Sequence, residues 1–308
     1  MNKIIPFFNL IRFKNLVIIA LTQSLIKYTL INPFEINSIL SNFHFFLLVL
    51  TTILITAAGY IINDIYDVEA DRINKNENLI IDKYINTKQA MWWYLTFNII
   101  ALLIGLWLSI YINIPLFSLI FIFSIYSLWI YSKRFKKSIL IGNIQISLLT
   151  TLSILNVALF DIIPNGIIVD SQEWIIFNII TYYCCFAAII TLVREIIKDI
   201  EDMQGDLVIN AKTFIISYGM KNTKKLTISL TLIIILCIAY FQYLQLETGG
   251  HQIAILYTLF IQCLFVFLCL RIYQATHKRD FSLISKLCKV IMIFGIFSIP
   301  LFTYVHLN

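Results

Sequence analysis

Nine mostly apolar stretches, each about the length that a bilayer-crossing helix requires, lie at roughly 14–33, 43–63, 90–112, 115–132, 138–160, 174–197, 224–244, 252–272 and 284–304. A soluble fold has no means of covering them. Of the 308 residues 60% are hydrophobic and 13% charged, against about 25% charged in an ordinary soluble domain. The same composition excludes a disordered chain, which needs low hydrophobicity. A bilayer is the remaining solvent. The expected fold is therefore all-α, a multi-spanning bundle of about nine transmembrane helices. No linker or shift in composition divides residues 1–308, so one integral-membrane domain is expected. The first apolar run lacks a small-residue cleavage site and reads as a retained helix rather than a signal peptide.

Charge sets the expected orientation. Of 23 Lys and Arg, all except Lys27 fall at one set of helix ends: Lys3 to Lys14, Arg72 to Lys88, Lys133 to Lys137, Arg194 to Lys225, and Arg271 to Lys289. The opposite loops carry Glu35, Asp161, Asp170, Glu173 and Glu247. Positive loops stay in the cytoplasm, so the N-terminus and the basic helix ends are expected on the cytoplasmic side of the cell inner membrane. The net charge of +6 is accounted for by this topology, and no nucleic-acid partner is expected. Cys184, Cys185, Cys237, Cys263, Cys269 and Cys288 lie in or beside apolar runs without CxxC spacing. They are expected as small buried packing residues rather than disulfides or metal ligands.

Two acidic segments interrupt the apolar pattern, both at the basic end. The second run closes on Asn63-Asp64-Ile65-Tyr66-Asp67-Val68-Glu69-Ala70-Asp71-Arg72, with Asn63, Asp67 and Asp71 spaced i, i+4, i+8. At about 100° per residue that spacing drifts only about 40° per step, so the three share a helix face. The sixth run closes with Glu195, Asp199, Asp202 and Asp206 at i, i+4, i+7, i+11, again one face. Stacked like charges repel and carboxylates are costly to desolvate near a membrane, so a cation must offset both clusters. Carboxylate and amide oxygens are hard ligands, suited to Mg²⁺ shared with substrate phosphates. The candidate metal ligands are Asn63, Asp64, Asp67, Asp71, Asp199, Asp202 and Asp206, and the catalytic set is Asp67, Asp71, Asp202 and Asp206. Arg72, Lys75, Lys133 and Lys212 are candidates for gripping a diphosphate, although topology alone also explains basic residues there. Tyr66 and Tyr131 are candidates for stabilising a cation through their ring faces, although tyrosine is also common at membrane interfaces.

These motifs resemble the UbiA-type intramembrane prenyltransferases. Residues 63–71 match that family's NDxxDxxxD motif, and Asp202-Met203-Gln204-Gly205-Asp206 matches its DxxxD motif. Ala211-Lys212-Thr213, Tyr218-Gly219, Tyr131-Ser132-Lys133 and Gly142-Asn143 are also similar to the family pattern. The resemblance implies a nine-helix fold and Mg²⁺-dependent transfer of a polyprenyl group from its diphosphate to a lipophilic acceptor through an allylic carbocation. Asn63, Asp67, Asp71, Asp202 and Asp206 would then coordinate the metal. Residues 194–202 look most like the branch that adds a second geranylgeranyl chain to geranylgeranylglyceryl phosphate. An aromatic quinone precursor is the alternative acceptor. The family's Asn-Arg-Pro and later Arg-Pro elements are replaced here by Asn74-Lys75-Asn76 and Asn78-Leu79. A cation-coupled transporter, the reading from a different class, places its acids near the midplane on broken helices. Here they gather at one set of helix ends.

Overall fold

The structure is a computed structural model and describes residues 4–74, 79–247 and 251–307. Its helices are α1 (Ile4–Leu10), α2 (Phe13–Leu25), α3 (Asn42–Tyr66), α4 (Val68–Asn74), α5 (Thr87–Tyr111), α6 (Ser118–Lys133), α7 (Ile141–Asp161), α8 (Gln172–Val208), α9 (Phe214–Glu247), α10 (Gln252–Gln274) and α11 (Lys278–Leu307). Among the described residues nine helices are long and apolar enough to cross a membrane. They are α2, extended by a π-turn over Ile26–Ile31 and a 3₁₀ turn over Asn32–Phe34, then α3 and α5 through α11. Polar caps open several spans: the side chains of Ser41, Asn86 and Ser171 accept from the N–H groups of His44, Lys88 and Trp174. Such caps satisfy donors that the first helical turn leaves open.

The expected spans and the observed ones differ where a helix outruns the bilayer. The sixth apolar run ends near 197, yet α8 continues to Val208 and has 37 residues. At about 1.5 Å per residue that is about 55 Å, against a hydrocarbon core of about 30 Å. Its last turns therefore stand clear of the hydrocarbon, and those turns carry the carboxylates. Similarly α9 starts at Phe214 rather than near 224, and breaks at Gly219, whose φ of 78° and ψ of 169° suit a residue without Cβ.

The bundle closes through successive contacts. α3 packs on α5 and α6, α7 on α8, α8 on α9 and α11, and α10 on α9 and α11, while α2 touches α3, α7 and α11. Buried Ile, Leu, Val and Phe fill the space between these helices, as in the clusters around Leu48, Val157 and Ile180 and around Val193, Leu268 and Cys288. Large apolar side chains also cover the outside: Trp92, Leu236 and Leu103 are 71%, 67% and 64% exposed. An apolar exterior on an apolar interior is the pattern of a protein dissolved in lipid. All six cysteines are free; Cys184 and Cys288 are buried as expected, whereas Cys185, Cys237 and Cys263 are exposed on the bundle surface. That departs from the expectation, and the reason is that a thiol is as well solvated by hydrocarbon as by a protein core.

Candidate active site

Asp67 closes α3 with φ −91° and ψ 0°, the sparsely populated bridge region where many active-site residues sit. Helical hydrogen bonds still pass through it, from the Asp67 N–H to the Asn63 carbonyl (2.9 Å) and from the Asp71 N–H to the Asp67 carbonyl (2.8 Å). The register of Asn63, Asp67 and Asp71 thus survives the junction of α3 with α4. α4 packs against α8, which carries the first acidic cluster up to the second. Asn63, Asp67, Asp202 and Asp206 are buried, and Asp71 is half-buried.

The centre of the site is one ammonium group. Lys136 pairs with Asp67 Oδ2, and its charge is also felt by Asp206, which in turn interacts with Asp202 and Asp67. Asn63 Nδ2 donates to the same Asp67 Oδ2 at 2.7 Å. Its own Oδ1 is buried without a hydrogen-bond partner. Burial pushes the Asp67 carboxyl up, but Lys136, followed by Lys198 and Arg12, outweighs it and holds the group below the usual carboxylate range. Burial pushes Lys136 down; Asp67, Tyr131 and Asp206 overcome this and keep it above an ordinary lysine. Both charges are therefore present at neutral pH.

Lys136 owes its place to a tight loop. It sits in the 3₁₀ turn Phe135–Lys137 between α6 and α7, against the start of α7. A Cβ on Gly142 would lie 2.7 Å from the Phe135 carbonyl oxygen and 3.1 Å from Lys136 Cα, so only glycine permits this approach. Gly142→Ala is expected to displace the lysine and lower turnover by about 10²-fold, the scale of a 1 Å misplacement. Its stability cost should be about 1–3 kcal/mol, as for other overpacked sites. Thermal unfolding and turnover measured on one preparation would separate the two effects.

Outer contacts hold the remaining acids. Asn143 Nδ2 donates to Asp199 at 2.8 Å, Arg12 Nη2 meets Asp64 Oδ1 at 3.1 Å, and Glu195 pairs with Arg194. Tyr131 interacts with Glu195, Lys136, Asp199 and Asp67 together, so it belongs to the site. Thr213 Oγ1 is buried and unpartnered. Four other expected residues stand apart. Tyr66 is exposed and its neighbour is Tyr94. Arg72 reaches Asp82 at 3.7 Å on the exposed side of the loop. Lys133 lies over the Trp129 ring, 4.7 Å from its centroid. The Lys212 side chain is exposed, although its N–H donates to the Lys137 carbonyl at 2.8 Å. Lys75, with Asn76 and Asn78, lies outside the described residues. Lys136 was one of four cations in the five-residue stretch Lys133 to Lys137, and spacing alone had no way to single it out. A recess of about 330 Å³ between α5 and α6, lined by Tyr94, Leu102, Ile122, Ile125, Tyr126 and Trp129, contains none of the carboxylates.

Among the described residues no three His, Cys, Asp or Glu side chains form a group able to hold a metal unaided. Mg²⁺ rarely uses an all-protein cage and takes one or two carboxylates together with substrate phosphates. An oxygen-only donor set, with the unpartnered amide oxygen of Asn63 beside Asp67, fits a cation of that kind.

Comparison with known proteins points to one family. A model of the UbiA prenyltransferase family matches residues 34–292. Digeranylgeranylglyceryl phosphate synthase of Methanocaldococcus jannaschii is 31% identical over 292 residues, covering 95% of this chain and 94% of the relative. The protein of the same name from Sulfurisphaera tokodaii is 30% identical over 248 residues, covering 80% and 83%. A solved structure described as a digeranylgeranylglyceryl phosphate synthase in membranes superposes with a TM-score of 0.65 at 23% identity, over 98% of this chain and 99% of the other. A UbiA homolog from Archaeoglobus fulgidus, bound to GPP and Mg²⁺, superposes with a TM-score of 0.59 at 16% identity, over 96% and 99%. At those identities the two structures speak for a shared fold.

Proposed function

The chain belongs to the UbiA prenyltransferase family, and on that premise we propose that it transfers a geranylgeranyl group from its diphosphate to the free hydroxyl of geranylgeranylglyceryl phosphate, using Mg²⁺. The observation that carries the chemistry is the buried, unpartnered Asn63 Oδ1 beside Asp67, in a cluster that α4 and α8 assemble. The acceptor follows from relatives that match 80% and 95% of the chain and are named as synthases of the doubly alkylated product.

Asn63, Asp67, Asp71, Asp202 and Asp206 would hold the metal, whose charge, when bound, offsets the charge that grows on the departing diphosphate. Asp64 and Asp199, already engaged by Arg12 and Asn143, orient the surrounding helix ends. Lys136 donates to phosphate oxygens from a half-buried position, where a fixed charge acts more strongly than in water. As the allylic carbon–oxygen bond breaks, its electron pair leaves with the diphosphate, and the Tyr131 ring faces the resulting cation. Of the loop cations, Lys136 takes the phosphate-binding role in place of Lys133. Residues 1–308 act as one membrane domain. The excess of Lys and Arg at the site's end of the helices supports a cytoplasmic active site and an inner-membrane location.

The test is incubation of purified protein with geranylgeranyl diphosphate, Mg²⁺ and, separately, geranylgeranylglyceryl phosphate or an aromatic quinone precursor, with products identified by mass. The doubly alkylated glycerophosphate is the expected product. Turnover of the aromatic acceptor alone would reject the assignment.

A further inference from the structure

Thr213 is tied to the carboxylate cluster by its backbone, yet its side chain has no task in the reaction described above. It lies in the short extended link between α8 and α9, where Ala211 and Thr213 are 4% and 1% exposed and Lys212 between them is exposed. That alternation is the period of extended backbone, which sends every second side chain to the same face. The chain enters the link by a tight reversal. Asn210 adopts a left-handed φ of 52°, its N–H donates to the Leu207 carbonyl at 3.2 Å, and the Ala211 N–H donates to the Asp206 carbonyl at 2.9 Å. This pair of bonds is a common way to stop a helix at a left-handed residue, and here it fastens the link to the backbone of Asp206. One residue later the Lys212 N–H donates to the Lys137 carbonyl at 2.8 Å, which fastens it to the turn that carries Lys136. Backbone bonds thus hold Thr213 between the second acidic motif and the lysine that pairs with Asp67.

The usual structural reason for a threonine in such a place does not apply. The Thr213 carbonyl accepts from the Ser217 N–H at 3.0 Å, so Thr213 is the residue that opens α9. A threonine there normally turns its side-chain oxygen back onto an N–H of the first turn. Thr213 Oγ1 instead is buried with no hydrogen-bond partner among the described residues. A buried hydroxyl in that state costs free energy, and folded proteins complete nearly all such groups with protein, water or ligand. The charged groups on either side of the link, Asp206 and Lys136, interact with one another. A diphosphate held by the same cluster brings several acceptor oxygens, and an O–H donor to an anionic oxygen is among the strong hydrogen bonds.

We propose that the Thr213 hydroxyl donates a hydrogen bond to the diphosphate of the prenyl donor, beside the Lys136 ammonium, and is a further diphosphate-binding residue. This deepens the function proposed above and rests on that reading for the ligand's identity. The two groups do different work. Lys136 supplies charge, which attracts an anion from any direction, whereas the hydroxyl is directional and is completed only when a phosphate oxygen stands in one place. Its bond is therefore absent from the ligand-free protein and appears on binding. The link is pinned to Asp206 and to Lys137 beforehand, so little ordering is left to oppose that bond.

Thr213→Val keeps the branched shape and removes the O–H, while Thr213→Ser keeps the O–H and removes the methyl group. Three quantities are measured on each in detergent: melting without ligand, equilibrium binding of inorganic diphosphate with Mg²⁺, and KM for geranylgeranyl diphosphate and for the acceptor. Thr213→Val should melt at or above the wild type, because it deletes an unpaired buried polar atom. It should bind diphosphate about 10- to 100-fold more weakly, the value of a hydrogen bond to a charged group, and raise the donor's KM but not the acceptor's. Thr213→Ser should restore most of the affinity. Unchanged diphosphate binding by Thr213→Val overturns the assignment. So does a lower melting temperature without ligand, which would mean that the hydroxyl already serves the fold through a buried water, and so does an equal loss of affinity in Thr213→Ser. A higher Mg²⁺ requirement at unchanged diphosphate affinity would make the hydroxyl a metal ligand and overturn it too. Hydroxyl-dependent diphosphate binding without transfer to either acceptor would keep the assignment and reject the reaction. Transfer to the glycerophosphate that Thr213→Val leaves unaltered would do the reverse.

Discussion

Asp67→Asn and Asp202→Asn are each expected to reduce Mg²⁺-dependent diphosphate release by at least about 10²- to 10³-fold, the scale set by losing one preorganised electrostatic group, while the protein still folds. Asparagine keeps the shape and removes the charge. At position 67 it also leaves Lys136 without its carboxylate and places a second amide beside Asn63, whose Nδ2 now donates to Asp67. The wild-type charge is robust to acid. The Asp67 carboxyl is held below its ordinary range by Lys136 against the effect of burial, so its pairing stabilises the fold above the unfolded value of about 3.9 and is lost as pH falls through the lower folded value. A fall in wild-type activity between pH 7 and 5 should therefore be traced to other groups. Diphosphate release assayed on monodisperse, detergent-purified variants checks the expectation. Turnover near wild type in both variants would remove the carboxylates from the chemistry.

The spans were readable because hydropathy in a bilayer is a one-dimensional signal, and the two acidic motifs because one-faced spacing survives translation into a helix. Helix ends beyond the bilayer were less readable. The apolar run of α8 stops near 197, but its helix runs to Val208, since amphipathic turns can pack against α4 without being hydrophobic. The partners of the acids were hidden for a different reason. Lys136 and Lys133 are equivalent as charges in a sequence; the 3₁₀ turn and the glycine contact at Gly142 turn one inward, while the other rests on Trp129. Arg12 reaches Asp64 from a left-handed backbone (φ 50°) between α1 and α2, a conformation rare for a non-glycine residue. Its partner is 52 residues away. Such pairings follow from three-dimensional packing, which no local pattern encodes.

The one basic residue at the opposite helix ends, Lys27, shows the same point and leads to the largest expected loss of stability. It lies in the π-turn that extends α2, and its Nζ is 2.5 Å from Asp161 Oδ2, with side chains 2% and 0% exposed. Asp161 Oδ1 accepts from the Leu40 N–H and from Ser38 Oγ, each at 2.9 Å, and Lys27 also donates to the Leu40 carbonyl at 3.1 Å. One carboxylate thus ties the end of α7 to α2 and to the segment before α3. Asp161→Ala strips a buried ammonium of its counter-charge and the Leu40 N–H of its acceptor, a change that costs about 3–5 kcal/mol in comparable buried pairs. The double variant Lys27→Met with Asp161→Leu removes both charges and should recover most of that loss, because desolvating the pair offsets much of its attraction. Thermal unfolding in detergent should rank wild type and the double variant close together, with Asp161→Ala well below them. Activity per folded molecule should be retained in the double variant, since the carboxylate site lies at the other helix ends. A single variant that melts with the wild type would show that water reaches Lys27, and that the pair does not hold these three segments together.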